Sequence, residues 1–384
     1  MRALLLLLTT LLLAGCSIFG DDEEPVEPPA ELTDFDPTVK VRRAWNVGFD
    51  RGADGLLLGL TPATDGGRIY AGAHGGRVIV IDAATGDPVW TEKTGRQLSA
   101  GPAVGQGLVV FGTSDGEVLA LSEQDGSLVW SHLVSGEVLA TPAIARDRVI
   151  VRSVDGRLRA LRADDGAELW NVEQQVPRLT LRGNGAPQID GDIVVAGFDN
   201  GRIAAYELED GDVRWENIVA PSSGRTEIER LADVDASIRI MDQDIYAVSY
   251  RGRTASLALE SGRILWSQDV SSYQGLSADW TNVFVTTDLS HVVSMSRASG
   301  SVVWEQDVLR LRSLTTPVPF ANTVVAGDFE GYLHFLDVNS GQLVGRVRAD
   351  KSAIVGTPVV VGDVVVVQTD DDHLVGFRIE TETG

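Results

Sequence analysis

The chain has 384 residues, of which 43% are hydrophobic and 23% are charged, as expected for a globular protein. Its 55 acidic residues outnumber its 32 basic residues, which gives a formal net charge of -23. Such a charge repels a phosphate backbone and leaves no basic stripe to bind one. Nucleic acid is therefore excluded as a partner, and so is attachment to an anionic membrane through a polybasic segment.

The first 15 residues have the features of a secretory signal peptide. Arg2 precedes an apolar run at residues 3–13, which is too short to cross a bilayer as a permanent helix and fits a cleaved h-region. The sequence Leu13-Ala14-Gly15-Cys16 then resembles the bacterial lipobox, in which the cysteine receives a diacylglycerol group. The resemblance implies lipidation of Cys16, the single cysteine, and Ser17 in place of aspartate implies sorting to the outer membrane. The alternative is an ordinary signal peptide with an incidental cysteine.

Residues 16–40 follow the predicted signal peptide and contain the run DDEEPVEPPAELTDFDP. A stretch so rich in proline and acid cannot bury a core of its own. We therefore expect residues 16–40 to be a tether that starts at the lipidated cysteine, and residues 41–384 to form the folded domain.

The folded part is an array of similar segments with a period of roughly 40 residues. The eight copies are GGRVIVIDAATGDPVW ending at Trp90, DGEVLALSEQDGSLVW at Trp130, DGRLRALRADDGAELW at Trp170, NGRIAAYELEDGDVRW at Trp215, RGRTASLALESGRILW at Trp266, LSHVVSMSRASGSVVW at Trp304, EGYLHFLDVNSGQLVG at Gly345, and the truncated DDHLVGFRIETETG at the C-terminus. Each copy predicts one supersecondary unit.

Each repeat unit reads as a four-stranded antiparallel meander. Between Ala100 and His132 the runs AGPAV, LVVFGT, EVLALS and SLVWSH are short, rich in β-branched residues and separated by turns that contain glycine. Repeating such a sheet around an axis protects its edges, which is the architecture of a β-propeller. The sequence therefore predicts an all-β fold, an eight-bladed β-propeller.

The two ends of the domain predict how the ring closes. The eighth copy stops after Ile379, before any tryptophan strand, whereas Val41–Val47 is a tryptophan strand with no blade before it. We expect this N-terminal strand to pair with Leu374–Ile379 and complete the last blade. The alternative is that the N-terminal strand is flexible.

One tryptophan recurs at the same place in most repeats. A row of aromatic side chains could serve as a ligand platform, but one per blade on the outer strand is explained more simply by packing between neighbouring blades. We therefore assign the repeated tryptophans to the core.

No catalytic or metal-binding motif survives inspection. Gly112-Thr113-Ser114-Asp115-Gly116 matches the G-x-S-x-G pattern of hydrolases, but here it joins two strands, and the same turn recurs elsewhere without serine. Asp233-Val234-Asp235 has the opening of a calcium loop without its later glycine and glutamate. The five histidines have no common place in the repeat, which indicates structural roles rather than a metal site. They are His74, His132, His291, His334 and His373.

The repeat DGxLxALxxxDGxxxW, over residues of about 41–379, resembles the repeat of pyrroloquinoline-quinone enzymes. Those dehydrogenases usually carry a vicinal cysteine pair and a longer chain, and the single cysteine here argues against that activity and that cofactor. Lipobox, acidic tether and eight blades together resemble the BamB family, propeller lipoproteins of the outer-membrane β-barrel assembly (BAM) machinery. This second resemblance implies a scaffold subunit that is not an enzyme, uses no cofactor and lies at the periplasmic face of the outer membrane.

The resemblance to BamB is most specific in two segments, LTLRG at 179–183 and TEIERLADVD at 226–235. In that family the matching residues bind a periplasmic POTRA domain of BamA, the central barrel subunit. The residues implied here are Leu179, Leu181, Arg182, Asp233 and Asp235. The strongly acidic net charge departs from the family pattern, so the electrostatic detail of the interface does not carry over.

Loop lengths support this patch independently of the resemblance. Twelve residues separate Trp130 from Pro142, whereas 17 separate Trp170 from Pro187 and 21 separate Trp215 from Ala236. The two long loops are equivalent and come from adjacent blades, so we expect Arg182 and Asp233 to be neighbours on one face. Loops on a rigid scaffold commonly carry function. The alternative is that the two leucines plug the channel mouth and Asp233 stabilises a turn.

Three classes of function are compatible with the sequence. The chain is a scaffold subunit that binds BamA, a quinone-dependent or other enzyme, or a free-standing binder of peptides or sugars. We favour the scaffold. The sequence leaves open whether unfolded outer-membrane proteins also bind the propeller, for instance by adding a strand to a blade edge.

Overall fold

A computed structural model describes residues 27–50, 58–177, 179, 185–220, 234 and 238–380. These residues form eight four-stranded antiparallel sheets, the blades of a propeller. The eight-bladed all-β architecture predicted from the repeats is confirmed.

The chain begins its strands with β1 (Val41–Gly48) and β2 (Gly59–Leu60). Blade one consists of β3 (Ala63–Thr64), β4 (Arg68–Gly72), β5 (Arg77–Asp82) and β6 (Pro88–Lys93), and blade two of β7 (Leu98–Gly105), β8 (Leu108–Thr113), β9 (Glu117–Ser122) and β10 (Leu128–Leu133). Blade three consists of β11 (Ala143–Ala145), β12 (Arg148–Arg152), β13 (Arg157–Arg162) and β14 (Glu168–Glu173). Blade four consists of β15 (Gln188–Asp190), β16 (Ile193–Gly197), β17 (Arg202–Glu207) and β18 (Val213–Ile218).

Blade five consists of β19 (Arg239–Met241), β20 (Asp244–Val248), β21 (Thr254–Ala258) and β22 (Ile264–Gln268). Blade six consists of β23 (Leu276–Ala278), β24 (Asn282–Thr286), β25 (Val292–Ser296) and β26 (Val302–Gln306). Blade seven consists of β27 (Val318–Phe320), β28 (Thr323–Gly327), β29 (Tyr332–Asp337) and β30 (Leu343–Arg348). Blade eight combines β31 (Ile354–Val361), β32 (Val364–Thr369) and β33 (His373–Ile379) with β1.

The first strand of each blade lies innermost, because these strands contact one another from blade to blade around the ring. A blade is covered by a neighbour on each side, so its middle strands are buried on both faces and read as continuous apolar runs. The run VIVI within β5 is fully buried, whereas the outermost strand β6 is largely exposed. Among the described residues, eight apolar clusters fill the eight interfaces between blades.

The ring closes through its N-terminal strand. β1 pairs antiparallel with β33, in a register that sets Val41 opposite Ile379 and Val47 opposite Leu374. The predicted completion of blade eight is confirmed. The sheet therefore holds residues from both ends of the domain by backbone hydrogen bonds.

Each repeated tryptophan fastens its blade to the next one. The indole N–H donates to a backbone carbonyl in the following blade at 2.6–3.0 Å, as from Trp215 to Leu259. The ring lies on a turn glycine of that blade: at Gly262, with φ of 65°, an added Cβ would lie 2.3 Å from the ring of Trp215. We call this unit a tryptophan latch. The seven latch tryptophans are Trp45, Trp90, Trp130, Trp170, Trp215, Trp266 and Trp304.

The interface between blades seven and eight has no latch. The remaining tryptophan, Trp280, lies in a turn of blade six and is 81% exposed. Gly345 stands at the latch position of blade seven. A latch rests on the turn between the third and fourth strands of the next blade. Blade eight has no such turn because its fourth strand comes from the N-terminus.

Residues 27–40, which we call the strap, cross the outside of blade seven at that place. The backbone N–H of Val39 donates to Val344 at 2.9 Å, and a Cβ at Gly345 would lie 3.1 Å from the carbonyl oxygen of Val39. The guanidinium of Arg346 stacks 5.1 Å from the ring centroid of Phe35. Leu32 packs into the apolar cluster between blades six and seven. The strap thus occupies the space that a latch takes elsewhere.

The short strand β2 lies inside the ring. β2 adds in parallel to the free inner edge of β7, with Gly59 opposite Ala100, and its Leu60 is buried. The hydroxyl of Thr141 in blade three donates to the carbonyl of Gly59. Part of the central channel is therefore filled by the chain itself. Over the ranges described above, no helix has the length and apolarity needed to span a membrane.

The latch that closes the ring can be tested by Trp45→Ala, with Trp280→Ala as the matched control. Loss of the Trp45 ring and its hydrogen bond should lower the free energy of unfolding by about 3–5 kcal/mol, whereas removal of the exposed Trp280 should change it by less than about 0.5 kcal/mol. Urea titrations followed by far-ultraviolet circular dichroism measure both. Equal midpoints for the two variants would contradict the latch.

Candidate functional site

Two consecutive connections between blades are long, with 14 and 20 residues. One runs from β14, which ends at Glu173, to β15 at Gln188; the other runs from β18, which ends at Ile218, to β19 at Arg239. Connections of this kind emerge at the same end of the ring as the turns between second and third strands, because the strands alternate in direction. We call this end of the propeller the loop face.

Both long connections are attached to one turn, Gly197–Gly201, between β16 and β17. The side-chain amide of Asn200 donates to the carbonyl of Gln175 at 3.3 Å, in the first connection. The backbone N–H of Ala220, in the second connection, donates to the carbonyl of Gly201 at 3.2 Å. We call this turn the platform. It brings the bases of the two loops together, as their equivalent places in the repeat predict.

Val234 anchors the far part of the second connection to the platform. Its backbone N–H donates to the carbonyl of Phe198 at 3.3 Å, and its side chain is fully buried with Val219 and Ile238. The approach is so close that a Cβ at Gly197 would lie 2.3 Å from the carbonyl oxygen of Val234. A side chain at position 197 is therefore incompatible with this path of the loop.

A buried ion pair supports the platform from the neighbouring blade. Arg152, at the end of β12, bonds through Nη2 to the carboxylate of Asp199, and the two residues are 4% and 7% exposed. The guanidinium also lies 5.8 Å from the ring centroid of Phe198, which packs edge-on against Tyr206. Breaking such a pair leaves a buried charge uncompensated, so the geometry of the platform is strongly specified.

Of the residues predicted to bind a partner or to carry lipid, the structure describes Leu179. Leu179 is 42% exposed on the loop face, in the first long connection. Leu181, Arg182, Asp233, Asp235 and Cys16 lie outside the described residues. Their assignment to a partner site and a lipid site stays a prediction.

Sequence reasoning missed Arg152, Phe198 and Asp199. A signal was present: Arg152 stands four residues before the turn glycine Gly156, at a position that is glycine in four other repeats, namely Gly72, Gly112, Gly197 and Gly327. An added Cβ at those glycines would lie 2.3–2.5 Å from atoms of the next blade. An arginine at such a position needs a dedicated acceptor, and Asp199 provides one.

A second buried polar cluster lies on the loop face in blade seven. Asp328 accepts from Arg312 Nε at 2.8 Å, lies 2.9 Å from Nε2 of His334, and accepts from the backbone N–H of Tyr332 at 2.9 Å. Burial alone would raise the pKa of Asp328, but the bonds from His334, Tyr332 and Arg312 hold it below its ordinary value. Burial lowers the pKa of His334. The carboxylate is held fully hydrogen-bonded, which indicates a structural role.

The G-x-S-x-G match lies in a turn between two strands. Residues 114–116 connect β8 to β9 as a tight turn, which confirms the turn interpretation of the G-x-S-x-G match. Within the described ranges no group of three or more His, Cys, Asp or Glu side chains is placed to hold a metal ion.

The family model described as outer membrane protein assembly factor BamB matches residues 31–97, 74–306 and 290–384. The chain belongs to the BamB family. The assembly factor BamB of Pseudomonas aeruginosa is 45% identical over 374 residues, which cover 97% of this chain and 98% of that protein. BamB of Escherichia coli K12 is 33% identical over 386 residues, 97% of each chain.

Solved structures agree with membership of the BamB family. The crystal structure of BamB from Moraxella catarrhalis superimposes with a TM-score of 0.80 at 26% identity and covers 88% of this chain and 100% of that one. A quinohemoprotein alcohol dehydrogenase from Comamonas testosteroni superimposes with a TM-score of 0.70 at 13% identity, over 88% of this chain and 76% of that one. The second likeness shows a shared fold alone.

The close approach at the platform predicts the effect of Gly197→Ala, with Gly67→Ala as the control. At position 67 the nearest atom to an added Cβ, Oδ1 of Asp65, is 3.8 Å away, so alanine fits there. Gly197→Ala should displace Val234, destabilise the fold by about 1–3 kcal/mol and speed exchange of the Val234 amide hydrogen. Hydrogen exchange by mass spectrometry checks this. Unchanged exchange at Val234 would show that the loop is not held by the platform.

Proposed function

We propose that this member of the BamB family is a non-enzymatic scaffold subunit of the BAM complex, which binds the periplasmic POTRA domains of BamA and assists insertion of barrel proteins into the outer membrane. Its relatives in Pseudomonas aeruginosa and Escherichia coli are outer membrane protein assembly factors. The observation that carries the proposal is the platform, to which the described bases of two long loops from adjacent blades are bonded.

The loops supply both kinds of contact that protein interfaces use. Leu179 and Leu181 precede Arg182, so one loop offers apolar side chains beside a cation, and the second offers carboxylates at Asp233 and Asp235. A few buried anchor residues at the centre of an interface, often arginines among them, commonly supply most of the binding energy. Charged side chains steer encounter and fix register more than they add affinity.

Rigidity of the support is the second argument for a binding role. Binding costs less when the contact residues are already ordered, because less conformational freedom is lost. Val234 and the Arg152–Asp199 pair fix the platform to two neighbouring blades. A scaffold subunit needs such a preorganised surface and needs no reacting group.

The proposed location is the periplasmic face of the outer membrane, with the chain held by lipid on Cys16. Two or three acyl chains give stable anchoring, since each buried methylene contributes about 0.8 kcal/mol. The outer-membrane role in the names of the relatives supports this location.

The POTRA interface is tested by Leu179→Ala and Leu181→Ala, with Leu133→Ala as the control. Leu133 is 74% exposed on the outer strand of blade two and belongs to neither long connection. Each loop variant should weaken binding by about 1–2 kcal/mol through faster dissociation with little salt dependence, because apolar area is lost. Surface plasmon resonance on immobilised BamA POTRA domains measures this. Wild-type dissociation in both loop variants, with circular dichroism unchanged, would refute the apolar contact.

The charged part of the same interface is tested by Arg182→Glu. The reversal should nearly abolish capture of the POTRA protein, and binding by the wild-type protein should weaken as salt is raised. Asp233→Ala and Asp235→Ala should weaken binding to a smaller extent. Arg146→Glu is the control, because Arg146 pairs with Asp192 on the opposite face of the propeller. If the Arg182 and Arg146 variants bound the POTRA protein equally well, Arg182 would have no part in its capture.

The anchor is tested by Cys16→Ala in the intact bacterium. Without the acceptor sulfur no diacylglycerol can be attached, so the protein should move from the membrane fraction to the soluble periplasm with its propeller folded. Fractionation in a strain without the other BAM subunits measures this. Continued sedimentation with membranes in that strain would show that something other than the lipid holds the protein.

A further inference from the structure

The strap runs from one end of the propeller to the other across blade seven. Near Val39 it lies beside the start of β30, at the end of the ring opposite the loop face. Towards its N-terminus the carbonyl of Thr33 accepts from the guanidinium of Arg346 at 3.2 Å. Further on, the backbone N–H of Ala30 donates to the carbonyl of Arg310 at 2.9 Å, in the connection between blades six and seven.

Side chains of the loop face hold the far end of the strap. Arg312, which is bonded to the buried Asp328, donates through Nη1 to the carbonyl of Ala30 at 2.9 Å. Arg310 forms an ion pair with Glu27. Glu27 therefore lies on the loop face, at the seam between blades six and seven.

Partly exposed apolar side chains surround that seam. Tyr273, Leu289, Val308 and Phe329 are 45%, 49%, 45% and 39% exposed, and we call them the rim.

Hydrogen bonds join the loops that carry the rim into one surface. Ser271 donates to the carboxylate of Asp288 at 2.9 Å, the backbone N–H of Leu311 donates to Leu289 at 2.8 Å, and that of Phe329 donates to Arg312 at 3.3 Å. The four rim residues thus lie on loops that are bonded to one another, as a strip along the loop face of blades five to seven beside the end of the strap.

Little chain separates the rim from the proposed lipid. Eleven residues lead from Cys16 to Glu27. Fully extended they span at most about 36–40 Å, and as a flexible coil they span about 17–20 Å. A bilayer that holds Cys16 is therefore kept close to the loop face at blades six and seven, where an apolar strip with aromatic members is exposed.

The opposite end of the propeller lies farther from the proposed lipid, because the strap runs away from it towards the loop face. Both ends carry carboxylates: Asp288 and Glu330 stand beside the rim, and the turns between third and fourth strands hold others at the opposite end. Exposed apolar residues are also present at the opposite end, as Trp280 in a turn and as Leu128 and Val213 at the starts of outer strands. The short distance from Cys16 therefore favours the loop face as the side towards the bilayer.

We propose that the rim rests on the lipid bilayer, so that the strap and the lipid on Cys16 hold the propeller with its loop face towards the membrane. The inference rests on the lipid anchor of the proposed function. It goes beyond it by assigning a membrane-contacting surface and an orientation. The long loops that are proposed to bind BamA, between blades three and four and between blades four and five, then open towards the membrane as well.

The experiment uses the full acylated protein on vesicles of phosphatidylethanolamine and phosphatidylglycerol that contain a spin-labelled quencher lipid. Once Cys16 is acylated the chain has no other cysteine, so one introduced cysteine takes a unique environment-sensitive fluorophore. Leu289→Cys reports on the rim, and Trp280→Cys reports on the opposite face as the matched control. We expect the label at 289 to shift its emission to the blue and to be quenched several-fold more strongly than the label at 280.

A second measurement introduces Leu289→Asp into a protein labelled at Val308→Cys. A carboxylate in the rim should reduce quenching at 308, because burying a charge in the interface is unfavourable. A label at 289 that stays in water, or stronger quenching at 280, overturns the proposal. So does a response at 289 that requires added BamA, since the strip would then be a protein contact.

Sedimentation of the same vesicles separates the two levels of inference. An acylated protein that fails to sediment overturns the anchor and the rim together. One that sediments with its rim label in water overturns the rim alone and leaves the proposed scaffold function standing.

Discussion

The hydrogen bond and stacking contact that each latch tryptophan makes with the next blade is the interaction on which the whole ring depends. A single four-stranded sheet cannot bury both of its faces, so a blade is stable only against its neighbours. The latch fixes that contact twice, through an indole N–H bonded to a backbone carbonyl, as from Trp215 to Leu259, and through a ring that fits over a turn without a Cβ, as at Gly262. Seven latches with the same geometry set the spacing of the blades, and the apolar clusters between them follow from it.

The missing eighth latch is a consequence of how the ring closes. Because β1 supplies the last strand of blade eight, the turn on which a tryptophan would rest does not exist there, and Gly345 leaves room for the incoming chain. The same event that closes the sheet therefore brings the strap across blade seven. Phe35 on Arg346 and Leu32 in the apolar cluster hold it in place. The pairing of β1 that closes the ring therefore also determines where the preceding residues, the strap, cross the propeller.

A rigid ring also explains how long loops can be held in fixed positions. The platform gains its precision from a close backbone approach at Gly197 and from the buried Arg152–Asp199 pair, rather than from extra secondary structure. Both features have a local free-energy cost. Glycine loses conformational freedom on folding, and a buried ion pair must offset its desolvation. Such departures from the simplest repeat are expected where a protein specifies a surface rather than a core. The likeness to the quinohemoprotein alcohol dehydrogenase is one of fold alone, and in this chain part of the channel is taken by β2.

The sequence by itself determined the repeat, the number of blades, the strand that closes the ring and the place of the long loops, because each of these follows from local patterns of glycine, β-branched residues and tryptophan with a regular period. It also pointed to the segment that contains Leu179. It did not reveal Arg152 and Asp199, which are 47 residues apart and meet because two blades stack, nor the path of the strap, whose acidic and proline-rich composition resembles that of a free tether. Those contacts join positions distant in the chain, and an ion pair or a docked segment leaves no periodic signal. Only the tertiary structure decided them, since only the closed ring brings their partners within bonding distance.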